Sequence, residues 1–315
     1  MAIAPVILLT GGSGQLGWQL RGMLPFLDGQ EDAQVIAPTH QQLDLTSPAA
    51  IREMMQTLRP QWVVNAAAYT AVDKAESDAD AAFAINRDAP AVLADEAEKL
   101  GIPLIHFSTD YIFDGKKATP YVESDAPNPL SVYGASKLAG ERALAESGAA
   151  YLNLRTSWVY GVAGKNFLLT ILRAAQEREE LCIVDDQHGA PTNAFDLAVA
   201  ATFLIKSLTR EAIEKDCRVV DAVMQARGDY HACNSGETTW FGFAEEALRL
   251  ARAHHPEQRF ARLVPITTAE YPTAARRPAN SRLNCAKLKK RFGVKWPTWK
   301  SSLARVVDAL AKESA

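Results

Sequence analysis

The sequence predicts an α/β protein, a doubly wound parallel sheet followed by a smaller C-terminal lobe. Three observations predict it. Short apolar runs of strand length alternate with amphipathic stretches of helix length through the first half of the chain. The first run, Val6 to Leu9, turns through Gly11, Gly12, Gly14 and Gly17 into a stretch whose Leu16, Leu20, Met23, Leu24 and Leu27 recur at helical spacing. The length of 315 residues allows one large or two modest domains.

A strand, a glycine turn and a helix start together make an anion site. The helix N-terminus offers free N–H groups and the positive end of its dipole, and glycine lets the backbone approach a pyrophosphate. The glycines fit both Gly11-x-x-Gly14-x-x-Gly17 and the commoner Gly12-x-Gly14-x-x-Gly17. Any α/β protein can carry such a turn, but its place at the first strand favours a Rossmann-type dinucleotide site.

Composition excludes several classes. Hydrophobic residues make up 48% of the chain and charged residues 23%, an ordinary globular mixture able to bury a sizeable core. A net charge of -3 provides no basic field for nucleic acid or an anionic membrane. No apolar run has the length to span a bilayer. The stretch Met1-Ala-Ile-Ala-Pro5 has no basic region, so no signal peptide is expected. Cys182, Cys217, Cys233 and Cys285 are far apart along the chain and read as free thiols in a reducing cytoplasm. The six histidines show no metal-ligand spacing, and His254-His255 reads as a solvated helix end.

The elements follow in order. Gln34-Val-Ile-Ala-Pro38 is a second strand, ending without the Asp or Glu that would hold a ribose 2′-hydroxyl; this leaves room for a 2′-phosphate and favours NADPH over NADH. Asp44 either reaches the adenine or begins a turn. Thr46-Ser-Pro48 reads as the cap and first turn of a helix running to about Leu58. The strand Trp62 to Ala68 ends in small residues that admit a flat ligand. A helix begins near Asp73 and carries Glu76, and Asp88 to Leu100 forms another. The strand Pro103 to Phe107 runs into Ser108-Thr109-Asp110-Tyr111, placing a hydroxyl and a carboxylate at the carboxyl end of the sheet, where doubly wound folds bind ligands.

Tyr133 and Lys137 lie four apart in a helix from 131 to about 146 and so share one face. Phenol beside ammonium is a proton-donor arrangement, in which the cation is expected to lower the tyrosine's pKa. Alone, such a pair is usually a surface Tyr and Lys; downstream of a glycine loop and a strand-end Ser-Thr, the functional reading prevails. Tyr151 to Thr156 is a core strand. Trp158 just beyond it is either core packing or a platform for a nucleobase. Asn166 to Glu177 is helical, 181–192 a strand and loop, and Phe195 to Leu208 a helix returning to the main domain. The charged stretch Lys206 to Arg227 reads as an insertion or exposed helix. Tyr230 to Gly236 is a strand and turn, and Trp240 to His254 a helix. Arg276-Arg277 are either solvated charges or a grip on a diphosphate.

The motifs Thr10-Gly-Gly-Ser-Gly-Gln-Leu-Gly17, Asn65-Ala-Ala-Ala68, Ser108-Thr109 and Tyr133-x-x-x-Lys137 resemble the extended short-chain dehydrogenase/reductases. Narrower stretches resemble the dTDP-4-dehydrorhamnose reductase family within them: Asn65 to Glu76, Ser108 to Gly115, Tyr133 to Glu141, Leu154 to Gly161, Asp186 to Thr192 and Arg276 to Leu283. That resemblance implies NADPH-dependent reduction of the C4 ketone of dTDP-4-dehydro-L-rhamnose, with NADH a possible substitute. It implies Tyr133, Lys137 and Thr109 as catalytic residues. It implies a cofactor site of Gly11, Ser13, Gly14, Gln15, Leu16, Gly17, Asp44, Leu45, Ala67, Ala68, Tyr69 and Thr70, besides Tyr133 and Lys137. Thr109, Asp110, Trp158 and Arg277 would hold the dTDP-sugar, with Trp158 on the thymine and Arg277 on the diphosphate. The expected division is a dinucleotide domain over 1–157, with 193–230 returning to it, and a substrate-binding lobe over 158–192 and 231–315.

Three alternatives stand beside this reading. A 4,6-dehydratase would carry Asp then Glu after the threonine, where this chain has Asp110-Tyr111. An epimerase-reductase would want a Cys and a His near the sugar, and nothing pairs Cys182 with His188. A regulatory subunit on the same fold need not keep the set Thr109, Tyr133 and Lys137. Family members that dimerise through magnesium carry a glutamate after the glycine loop; here Gln19 follows Trp18 and Phe195 begins a helix where an acid is expected. The expectation is a cytoplasmic monomer or weak homodimer without a bridging metal.

Overall fold

A computed structural model describes residues 5–27 and 33–313. Met1 to Ala4, on which the expectation of no leader rests, lie outside the described residues. Five strands, β1 (Val6–Thr10), β2 (Gln34–Ile36), β3 (Trp62–Asn65), β4 (Leu104–Thr109) and β5 (Tyr151–Thr156), build a parallel sheet in the order β2-β1-β3-β4-β5, with Gly228–His231 added beside β5. The chain crosses from one side of β1 to the other between β2 and β3. This switch opens a crevice at the strands' carboxyl ends.

Both sheet faces are covered, so the strands read as unbroken apolar runs rather than alternating ones. Ile7, Leu9, Val64, Ile105 and Leu152 face the helices Gln15–Met23 and Ala194–Glu214. Leu8, Val63 and Leu104 face Pro48–Leu58, Ala89–Leu100 and Val132–Glu146 through Ile51, Met55, Leu93 and Leu144. One register interrupts the second face. Thr10, Asn65, His106, Asn153 and Asp229 are successive partners across β1, β3, β4, β5 and the edge strand, a polar row spanning five strands.

Helix starts follow the caps written in the sequence. Ser47, Ser131, Asn166, Asn193 and Thr239 each accept a backbone N–H of the first turn that follows. The smaller lobe packs the helices Phe167–Glu177, Trp240–His254 and Trp299–Glu313 around a parallel pair of strands, Glu180–Val184 and Arg262–Ile266.

Several expectations change. The helix predicted over 195–208 runs from Ala194 to Glu214, and with Val219–Gln225 it covers the sheet instead of forming an exposed insertion. Arg210 and Glu214 are exposed while Leu208, Ala212, Ala222 and Val223 are buried in the main core. Leu288, Phe292 and Val294, within the stretch expected in the lobe, also pack on the main core. His254 is paired with Asp308 at 2.6 Å. Cys233 and Cys285 are free thiols, but the fold brings their sulfurs to 3.4 Å.

Candidate active site

The glycine loop is shaped by backbone crowding. Gly11 has φ +72°, and a Cβ there would lie 2.5 Å from the Ala67 nitrogen; no side chain fits between the loop and the end of β3. A Cβ on Gly17 would lie 2.0 Å from the Gly11 carbonyl oxygen, so this glycine seats the first helix against the turn. Beneath the loop lies a cavity of about 390 Å³. Gly11, Ser13, Gly14, Gln15 and Leu16 form one wall; Asp44, Leu45, Ala67, Ala68 and Thr70 form another. Tyr133 and Lys137 close its far end with Ser108 and Thr156.

Two residues expected at the cofactor do not line this cavity. Gly17 serves packing, as above. The Tyr69 phenol donates to Asp78 at 2.9 Å, while its backbone N–H and C=O pair with the Asn86 amide. Asp44 lies at the edge and begins a turn: its carboxylate accepts from the Thr46 N–H at 2.9 Å and the Thr46 hydroxyl at 2.7 Å, which holds its pKa below the usual carboxylate value. The cavity suits a dinucleotide. Its loop admits no Cβ against β3, and the buried Ser108 and Thr156 hydroxyls at its far end have no protein partner among the described residues.

Tyr133, Thr109, Asp110 and Lys137 come together where β4 meets the helix Val132–Glu146. The Thr109 hydroxyl donates to Asp110 Oδ1 at 3.0 Å, accepts the Tyr111 N–H at 3.2 Å, and lies beside the Tyr133 phenol. Burial pushes Asp110 up to about 6 against its bonds to Ser281 and Thr109, and one carboxylate oxygen has no partner. The expectation that Lys137 lowers the Tyr133 pKa fails in this geometry. The ammonium is turned onto the Phe107 carbonyl at 2.6 Å and His106 at 3.2 Å, and burial dominates at the phenol, pushing it up to about 12. Burial brings Lys137 itself down to about 8, against the attraction of Glu141.

A second cavity, about 770 Å³, opens in the smaller lobe between Tyr111, Phe167, Trp240, Tyr271 and Arg277. Tyr111 stands edge-on to Tyr133, with ring centroids 5.5 Å apart, and so joins the two cavities. Arg277 is at this wall, paired with Asp73 of the main domain at 2.8 Å. Trp158 does not line it. Trp158 has φ 49° and stacks on Trp240 with centroids 3.7 Å apart, while a Cβ on Gly189 would press on its indole at 2.5 Å. The indole that faces the cavity is Trp240.

Sequence reasoning missed three supports. Glu76 accepts the Val132 N–H at 2.8 Å and so fixes the start of the Tyr133 helix. Asn86, fully buried in a π-turn, donates to Ser136 at 3.0 Å. A Cβ on Gly140 would lie 2.1 Å from the Asn86 carbonyl oxygen, so glycine permits that contact. The small residues Gly134, Ser136 and Gly140 along one helix were the available signal. Among the described residues, no group of three His, Cys, Asp or Glu could hold a metal.

Fold and site together define a dinucleotide-dependent oxidoreductase of the short-chain dehydrogenase/reductase type. A family model described as the RmlD substrate binding domain matches residues 5–312, and the chain belongs to that family. The chain is 43% identical to the dTDP-4-dehydrorhamnose reductase of Burkholderia thailandensis over 309 residues, covering 98% of this chain and 99% of that one. A crystal structure of a dTDP-4-dehydrorhamnose reductase from Clostridium acetobutylicum superposes with a TM-score of 0.84 at 34% identity, over 97% of this chain and 99% of the other. One from Bacillus anthracis, in complex with NADP, gives 0.83 at 32% identity over the same shares.

Proposed function

We propose that this chain reduces the C4 ketone of dTDP-4-dehydro-L-rhamnose to dTDP-L-rhamnose with NADPH. The convergence of Thr109, Tyr133 and Lys137 at the junction of the glycine-loop cavity and the lobe cavity carries this reading. The dihydronicotinamide, when bound, supplies hydride to the carbonyl carbon. The glycine loop and the first turn of its helix would hold the pyrophosphate. The open end of β2, with no acid after Ile36, would admit the 2′-phosphate.

As the carbonyl oxygen gains charge, Tyr133 gives up its phenolic proton to it, forming the product hydroxyl. Burial keeps that phenol protonated at neutral pH, the state an acid requires. Thr109 hydrogen-bonds the same oxygen and is itself oriented by Asp110. Lys137 would hold the nicotinamide ribose. In the lobe, Trp240 backed by Trp158 gives the thymine a stacking wall, and Arg277 shares its donors between Asp73 and the diphosphate. Remote binding energy at the nucleotide then aligns the sugar.

The protein acts in the cytoplasm as a monomer or weak homodimer, and its product feeds a cell-surface polysaccharide. The test is NADPH oxidation with dTDP-4-dehydrorhamnose, comparing the wild type with Tyr133→Phe. Turnover that collapses in the variant supports the reaction and its acid. Tight NADPH binding with no wild-type turnover overturns the reductase reading.

A further inference from the structure

The polar row across the sheet ends at the site. The Thr10 hydroxyl donates to Asn65 Oδ1 at 2.6 Å, Asn65 Nδ2 is 3.0 Å from His106 Nδ1, and His106 Nε2 is 3.2 Å from Lys137 Nζ. All four side chains are buried, none more than 2% exposed. An ammonium can only donate, so a charged Lys137 requires the lone pair of Nε2. The imidazole is then neutral with its proton on Nδ1, and the Asn65 amide must turn end for end from its position here to put its oxygen on that proton and its NH₂ on Thr10. With Lys137 neutral the row runs as it stands here, Thr10 donating to Oδ1, the amide NH₂ to Nδ1 and Nε2–H to the amine, so the two states differ by a half-turn of the Asn65 amide. Protonation of Lys137 and the direction of the row are therefore one variable.

We propose that His106, tethered by Asn65 and Thr10, is a positioning residue for Lys137, fixing where the ammonium sits and how readily it gives up its proton. This rests on the reading of Lys137 as the group that holds the nicotinamide ribose. Burial and the nearby ammonium keep His106 well below its ordinary pKa, so the ring stays neutral at neutral pH and one of its nitrogens is free to accept. The other charged and titratable groups around Lys137 are accounted for. Glu141, one turn along its helix, favours the charged form. Glu141 is itself paired with Arg155 of β5 at 2.7 Å, which in turn pairs with Asp229 of the edge strand. Tyr133 and Asp110 face the site from its other side.

The test uses the full chain with NADPH as probe, measuring cofactor affinity by quenching of tryptophan fluorescence from pH 6 to 10. His106→Leu removes the acceptor and moves the alkaline loss of NADPH binding to lower pH by about one unit, a tenfold change in proton affinity. His106→Gln restores it, because its amide oxygen can replace Nε2. Asn65→Asp moves the limb upward, a direction that general damage to the fold would not produce. Histidine side-chain ¹⁵N shifts at pH 7 report the neutral Nδ1–H form in the wild type. An unmoved limb in both His106→Leu and Asn65→Asp overturns the proposal, as does a proton on Nε2 at pH 7. A wild type that binds NADPH but reduces no keto-sugar removes the reductase reading alone, because binding and tautomer are measured without turnover.

Discussion

At the scale of single residues, Tyr133 carries the sharpest expectation. Its phenol stays protonated in the absence of ligands, so Tyr133→Phe removes the acid while leaving the ring beside Tyr111. We expect kcat to fall about a hundredfold to ten-thousandfold, with NADPH affinity little changed. Lys137, brought down to about 8, loses its charge as pH rises through that value, so cofactor binding weakens there in a pH titration. Trp240→Ala should raise KM for the nucleotide-sugar about ten- to hundredfold, the equivalent of about 1–3 kcal/mol of base stacking, without weakening NADPH. That Thr109, Tyr133 and Lys137 would meet at one end of the sheet was legible, because the strand-end hydroxyl and the four-residue spacing are local patterns. Trp240 was not, because Trp158 lies in the more telling motif and only the fold reveals which indole faces the cavity.

At the scale of elements, the helix Val132–Glu146 is held at four places: the Ser131 cap, the Glu76 carboxylate on Val132, Asn86 on Ser136, and Arg155 on Glu141. Only the first is readable from the sequence, since a cap and its helix are neighbours. The others join residues whose partners lie 56, 50 and 14 positions away. Arg155 is 3% exposed, and removing it leaves Glu141 as an uncompensated buried charge. Arg155→Ala should therefore cost about 3–5 kcal/mol in urea unfolding. Glu76→Ala is a milder case. It frees one exposed helix N–H, and we expect a loss of about 1 kcal/mol with a larger proportional fall in kcat than in NADPH affinity.

At the scale of the whole molecule, two fully buried histidines set the response to acid. Burial holds His231 down at about 3 and His106 well below its ordinary value. Unfolded histidine binds its proton near pH 6.5, so between that value and about 3 the unfolded chain holds more protons than the folded one. Their contribution to stability is complete above about pH 6.5 and is lost as pH falls. Asp110, raised to about 6, works in the opposite sense over part of that range. Thermal melts should show Tm dropping below pH 6.5, and His231→Gln should flatten that slope.

The doubly wound sheet was readable because both its faces are apolar and its strands alternate with helices. The extra reach of Ala194–Glu214 and the return of Leu288 to the main core were not, because charged residues share those stretches with the buried ones.

The row Thr10, Asn65, His106, Asn153, Asp229 has a further consequence for how the chain finds its fold. A parallel sheet with apolar side chains on both faces tells its strands little about register, since a slipped strand still buries hydrocarbon. Here a slip of one residue on any central strand would carry its polar member to the opposite face, among Leu9, Ile105 and Leu152, with no hydrogen-bond partner. The correct alignment is the one in which each of the five strands in the row meets its polar neighbour. Chain segments separated by as many as 76 positions, Asn153 and Asp229, check one another's alignment as the sheet assembles.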